Sequence, residues 1–261
     1  MATLLFHDII FGPVQSRRLG VSLGVNLLPA HGKWCNFDCI YCECGWNAEH
    51  HNDHRLPTQE QVREALQEKL QRMQQDGALP DAITFSGNGE PTLHPQFPEI
   101  IDDVIALRNR FAPLAKTCVL SNATNLCNDA VFYALQKTDK PILKLDSAIE
   151  SSVRRINQPQ GNYSITRITG QMQRFEGKFT LQTLFLRGLF HREKFDNSTP
   201  EEVGKWLDIV QLTRPREIML YTIHRDTPAQ TLQKLTKEEL LAIAQKVAVI
   251  NTWGASVQIS G

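Results

Sequence analysis

What most limits the fold of this chain is an alternation. Along its 261 residues, short apolar runs closed by glycine, asparagine, cysteine or aspartate take turns with amphipathic stretches. Residues 21–28 read as a strand that leads into a cysteine-rich segment. Thr58 begins a helix: Thr-x-Glu-Gln offers a cap, Val62, Leu66, Leu70 and Met73 recur on one face, and Gly77 lies just beyond. Strands are expected at 82–85, 117–120, 142–145, 178–186 and 217–221. Helices are expected at 97–110, 129–136, near Ser151, at 164–174, 200–212 and 237–250, with a last strand at 256–259. Six strands separated by helices pair in parallel, with a right-handed crossover at each step. The glycine- and cysteine-rich segments all follow strands, and in a βα barrel those strand ends share the face that carries active sites. The chain is too short for eight units plus extra elements. The expectation is one α/β domain over 1–261: a partial (β/α)6 TIM-type barrel with an open side. It has a short N-terminal segment, a core at about 20–225 and a C-terminal helix–strand extension at about 226–261.

The segment after the first strand carries Cys35, Cys39 and Cys42, spaced C-x3-C-x2-C, with Tyr41 just before the last. Three soft thiolates so close together can hold three irons of a cubane cluster and leave the fourth iron open to a ligand. Zinc is the alternative, since Cys44 follows and His50, His51 and His54 lie downstream. Structural zinc usually takes four ligands from two separated pairs, which this loop lacks. Cys44 then reads as a thiol beside the site, and the histidines as a solvated loop. After the second strand comes Gly87-Asn88-Gly89-Glu90-Pro91. Glycines let a backbone approach a ligand closely, and a carboxylate there can accept from an ammonium group.

These two motifs resemble the signature and the GGEP motif of the radical S-adenosylmethionine (SAM) enzymes, with Asn88 in place of the second glycine. The resemblance implies a [4Fe–4S] cluster on Cys35, Cys39 and Cys42, whose unique iron chelates the amino and carboxylate groups of SAM. It implies that Gly87, Asn88, Gly89 and Glu90 hold the methionine amino group and that the backbone near Tyr41 meets the adenine. It adds Ser121, Asn122, Asp146, Asn157 and Gln182 as candidate SAM contacts. Gln182 and Thr183 are expected to face the barrel interior. Arg17 and Arg18 precede the first strand, from where they can reach the site. Longer stretches, GPVQSRRLGVSLGVNLLP, LDSAIESSVRRINQP, LQTLFLRG and LYTIHRDTPAQTLQKLTKEEL, are similar to the wyosine-synthetase-related branch of that superfamily. That branch carries a second cluster with cysteines upstream of the first strand, and residues 1–34 contain none. Cys118 opens a strand, which puts it at the wrong end of the barrel, and Cys44 and Cys127 fall short of three ligands. A different substrate is therefore expected.

The implied reaction is reductive cleavage of SAM to a 5′-deoxyadenosyl radical that abstracts hydrogen from an unidentified substrate. The electron is expected from a flavodoxin- or ferredoxin-like protein. Trp34, Phe37 and Ile40 suit the shielding such a cluster needs. An open barrel side suits a bulky substrate, so an activase or maturase, or a wyosine-like RNA-modifying enzyme, stands as an alternative. A non-catalytic zinc or iron–sulfur protein is the third reading. A formal net charge of zero argues against a dedicated nucleic-acid binder. No apolar run reaches the ~20 residues that span a bilayer. The N-terminus lacks a basic, cleavable leader. Six cysteines without a secretory leader point to metal or redox chemistry in the cytoplasm.

Overall fold

The computed structural model describes residues 4–16, 18–49 and 54–260; Arg17, His50 and His51 lie outside the described residues. The elements in chain order begin with β1 Ile10–Ser16, β2 Gly20–Val25, α1 Gln59–Gln75, β3 Ala82–Phe85, α2 Phe97–Phe111, β4 Lys116–Ser121 and α3 Asp129–Lys137. Next come β5 Lys140–Lys144, α4 Glu150–Ile156, α5 Ile165–Gln173, β6 Thr180–Leu184, β7 Leu186–Phe190 and β8 Glu193–Asp196. The chain continues through α6 Pro200–Thr213, β9 Glu217–Tyr221, β10 Leu232–Lys234, α7 Lys237–Ile250 and β11 Ser256–Ser260.

One eight-stranded sheet runs β1-β2-β3-β4-β5-β6-β9-β11, parallel from β2 onward and antiparallel between β1 and β2. Its ends, β1 and β11, do not pair, so the barrel stays open. The sheet is curled. The Arg18 guanidinium, just before β2, lies 4.9 Å from the ring of Tyr221 at the end of β9, across four intervening strands. The expected extension strand joins this sheet as β11, a seventh parallel strand.

Period-two alternation sorts the strands. Ile83, Phe85, Val119, Leu143, Leu181, Ile218 and Leu220 face the helices in the main core, while Ala82, Cys118, Ile142 and Met219 pack inside the barrel. The predicted stripe of α1 is fully realised: Val62, Leu66, Leu70 and Met73 are all buried, each contributing about 1.5–3 kcal/mol of apolar burial. Thr58 and Gln61 close a reciprocal capping box. None of the described helices is long and apolar enough to cross a membrane.

Three features depart from expectation. The N-terminal segment is a strand, β1, which Pro13 disguised; proline suits an edge, and here the edge carries a bulge between Phe11 and Val14. The apolar run 178–186 is two strands. Asn197 receives the Leu186 amide and donates to the carbonyls of Asp146 and Leu184, which turns the chain out of the barrel into the β10-β7-β8 sheet. The β7–β8 turn holds His191 and Arg192 at positive φ, a mirror-image turn without its usual glycine or asparagine.

His94 ties the starts of α1 and α2. Its Nε2–H donates to the Pro57 carbonyl at 2.8 Å, and its Nδ1 accepts the Gln96 amide at 3.1 Å. Burial holds its pKa below the ordinary 6.5, against the Pro57 bond and the Glu99 charge. A depressed histidine binds fewer protons folded than unfolded, so its contribution is full above 6.5 and is lost as pH falls through the lower, folded value. The expected result is a urea midpoint that drops between about pH 7 and about pH 5, with a shallower drop in His94→Asn.

Candidate active site

The cysteine loop joins β2 to α1 and is pinned mainly by its backbone. Asp38 and Ile40 amides donate to the Asn157 and Ile156 carbonyls at 2.9 and 3.0 Å. Trp34 bridges to Gly89 as an isolated parallel pair. Lys33, itself buried, donates to Asp38 at 2.9 Å and to the Gly45 carbonyl at 2.7 Å. The side-chain amide of Asn47 donates to the carbonyls of Cys35 and Phe37. So held, Cys35, Cys39 and Cys42 line one cavity of about 300 Å³, shared with Tyr41, Gly87, Gly89, Glu90, Ser121, Asn122 and Gln182.

Hydrogen bonds already aim at the sulfurs. The Phe37 amide donates to Cys35 at 3.4 Å, the Asn122 amide group to Cys35 at 3.8 Å, and the Asn157 amide group to Cys39 at 3.4 Å. Burial pushes the Cys35 and Cys39 thiols up, Cys39 to about 11. Cys42 is pulled down to about 6, first by the hydrogen bond from Cys44 and then by the Lys33 ammonium. As cluster ligands all three would bind as thiolates, with iron displacing their protons. No group of three His, Cys, Asp or Glu side chains among the described residues is gathered tightly enough for a single metal ion. Three thiols that line one cavity, with hydrogen-bond donors placed on the Cys35 and Cys39 sulfurs, are a donor set that fits a [4Fe–4S] cluster.

The GNGEP segment works differently from its reading in sequence. Gly87 and Gly89 have φ of 139° and 137°. A Cβ on Gly87 would stand 2.4 Å from Asn26 Oδ1, and one on Gly89 2.0 Å from the Trp34 carbonyl. The glycines are needed for loop-to-loop packing as well as for ligand access. Gly89→Ala should cost about 1–3 kcal/mol from overpacking, beyond its dihedral strain. Gly77→Ala, also at positive φ but with nothing within 4 Å, should lose only the dihedral term of about 1–2 kcal/mol. Urea midpoints of the two variants compare them directly.

The Asn88 side chain is taken up by the protein itself. Its amide donates to the carbonyls of Phe6 and Pro29 at 2.8 and 2.7 Å, its Oδ1 accepts the Phe6 amide, and its carbonyl accepts the Trp34 amide. It fastens the N-terminal segment and faces away from the cavity. Glu90 faces inward, with its carboxylate filled by Thr92, Ser121 and the Asn122 amide. Burial raises its pKa above the ordinary value.

Asp146 and Asn157 stand behind the cavity wall. Asp146 accepts from the Tyr41 hydroxyl, the Asn157 amide group at 2.7 Å and the Leu184 amide at 2.9 Å, and lies 3.7 Å from Lys144 Nζ. Lys144 also donates to the Tyr41 and Tyr221 hydroxyls at 2.8 and 3.0 Å. Burial first and the Asp146 charge second keep the Tyr41 phenol protonated well above its usual range. Lys33, Lys144 and Tyr221 went unread in sequence. Lys144 and Tyr221 had a signal, since both sit on inward-facing positions at strand ends.

Other expectations divide. Gln182 faces the cavity, but Thr183, one residue on, points to the helix layer, where it donates to the Leu145 carbonyl and accepts from Trp206 Nε1. Alternation forbids both from facing inward. Phe37 and Ile40 are buried, whereas Trp34 is 37% exposed, with His54 packed edge-on at 5.8 Å. Arg18 reaches the cavity. Cys44 lines it and contacts the Gly87 carbonyl. Cys118 lies low in the barrel and Cys127 is exposed.

Residues 30–168 match the model of the radical SAM superfamily. A UPF0026 protein of Synechocystis is 32% identical over 228 residues, covering 85% of this chain and 77% of its own. Among solved structures, a radical SAM methyltransferase from Sphaerobacter thermophilus superposes with a TM-score of 0.67 at 12% identity, over 92% of this chain and 65% of that one. A protein designated anSMEcpe, solved with bound AdoMet, gives 0.58 at 12% identity, over 90% and 63%. The chain thus spans less than two thirds of those two structures, and the likeness to them is one of fold. The chain belongs to the radical SAM superfamily, whose cofactors are a [4Fe–4S] cluster and S-adenosylmethionine.

Proposed function

We propose that this chain is a radical SAM oxidoreductase or transferase, acting on a substrate of its own, in which Cys35, Cys39 and Cys42 hold the cluster. One observation carries the reading: the three thiols of the C-x3-C-x2-C motif share a single cavity with Gly87, Gly89 and Glu90 from the next strand end. With an electron from an external reductant, the cluster and SAM supply a 5′-deoxyadenosyl radical that takes a hydrogen atom from a C–H bond. The protein binds, orients and shields. Tyr41, Gly87, Gly89, Glu90, Ser121 and Asn122 are the proposed SAM residues with access to the cavity, and Gln182, expected with them in sequence, lines the same cavity. Asn88, Asp146 and Asn157 act from behind by fixing the backbone, Tyr41 and the Cys39 sulfur. A small flavodoxin- or ferredoxin-like protein is the proposed reductant, and the finer kinship proposed is with the wyosine-synthetase-related branch.

The test is anaerobic incubation of the reconstituted protein with dithionite and SAM. The expected product is 5′-deoxyadenosine. A full cluster complement that neither binds SAM nor releases that product would overturn the reading.

A further inference from the structure

The strand wall of the cavity holds a cation without a counter-ion among the described residues. Arg18 enters from the β1–β2 turn and stacks on Tyr221 at 4.9 Å. Its Nη1 is buried and has no hydrogen-bond partner among the described residues. Among the described residues no carboxylate pairs with Arg18, and the other charges of the cavity are spoken for. Lys144 faces Asp146 at 3.7 Å, Arg225 pairs with Glu43 at 2.6 Å, and Glu90 is filled by neutral donors. On the same wall Gln182 is buried and faces the cavity. A buried guanidinium nitrogen left unpaired is costly, and one on a residue that lines a cavity, with a buried amide side chain beside it, marks a donor kept for a ligand. A guanidinium fork with an amide beside an aromatic face matches a planar or tetrahedral oxyanion.

We propose that Arg18, aided by Gln182, anchors an oxyanion of the substrate, a carboxylate or a phosphate, and so holds the substrate against the strand wall. The proposal rests on the radical SAM reading, which places the carboxylate of SAM itself on the cluster's unique iron, among the cysteine and GNGEP segments. It moves Gln182 from the SAM contacts to the substrate side. It narrows the substrate to an anion whose reacting C–H lies within reach of that anchor.

The experiment titrates the cluster-reconstituted protein, with SAM present, with inorganic phosphate and separately with succinate, following heat release. At least one probe should bind saturably, and the tighter one tells a phosphorylated from a carboxylate substrate. Arg18→Gln should weaken that probe roughly 10- to 100-fold with SAM affinity unchanged. Should Arg18→Gln fail to fold, Arg18→Lys, which keeps charge without the fork, and Gln182→Leu must each weaken the probe while sparing SAM. The proposal is overturned if neither anion binds, if these variants bind it as the parent does, or if they weaken SAM equally. Binding is read without SAM cleavage. A protein that takes the anion but neither binds SAM nor yields 5′-deoxyadenosine overturns the radical reading, and the converse overturns only the anchor.

Discussion

Changing Cys35, Cys39 and Cys42 together to alanine should leave a folded protein that takes up no iron, lacks the broad absorbance at about 400 nm of the reconstituted parent, and makes no detectable 5′-deoxyadenosine. Folding is expected to survive because the loop does not depend on its sulfurs. Lys33, Asn47 and the backbone bonds of Asp38 and Ile40 hold it from either side. Circular dichroism and the urea midpoint of the apo variant should match those of apo parent. Cys44→Ala is the informative control. Cys44 donates a hydrogen bond to Cys42 and depresses its pKa, but the cluster reading does not require it as a ligand. The variant should bind iron more weakly, by roughly 10-fold, as loss of a supporting contact does, and keep the absorbance once saturated. Complete loss in Cys44→Ala, with tight zinc in the parent, would instead establish a four-thiolate site.

Much of this was legible in sequence, for reasons that differ by element. The α1 stripe, the Thr58 cap and the apolar strands at 82–85 and 217–221 carry their own periodicity, so local pattern and final burial agree. The cysteine spacing and GNGEP were legible because their chemistry demands particular residue types. What stayed hidden depends on contacts between distant positions. Asn88 reads as part of a ligand loop, yet its partners, Phe6 and Pro29, lie about sixty to eighty positions away in the chain. The exit of the chain from β6 into β7 is fixed by Asn197, beyond the run that appeared to be one strand. Alternation turns Lys144 inward at a strand end, but only closure of the barrel places it between Tyr41, Tyr221 and Asp146.

That lysine gives the largest expected effect on stability. Asp146 has a fully buried side chain, and Lys144 is 18% exposed at the cavity. Burial alone would pull the Lys144 pKa down. The Asp146 carboxylate, joined by Tyr221 and Cys39, more than offsets this and holds it above the ordinary 10.5. A raised lysine contributes its full stabilisation below 10.5 and loses it only in stronger alkali, so the pair should be intact across neutral pH. Asp146→Ala removes the counter-charge and also the acceptor for the Leu184 amide, the Asn157 amide group and the Tyr41 hydroxyl. The expected loss is about 3 kcal/mol, the lower end for a broken buried pair because Lys144 keeps two tyrosine partners and an open cavity. Lys144→Met alone should cost less, since Asp146 keeps its three neutral donors. In the double variant the stranded ammonium is gone, so the loss should fall short of the sum by about 1–3 kcal/mol. Additive urea midpoints would show that the two charges do not sense one another. Asp146→Ala carries a second signature that Lys144→Met lacks. It frees Asn157, whose amide donates to the Cys39 sulfur, so iron affinity should fall roughly 10- to 100-fold in Asp146→Ala while Lys144→Met leaves it nearly unchanged. The buried aspartate thereby couples the stability of the strand wall to the metal-binding loop it faces.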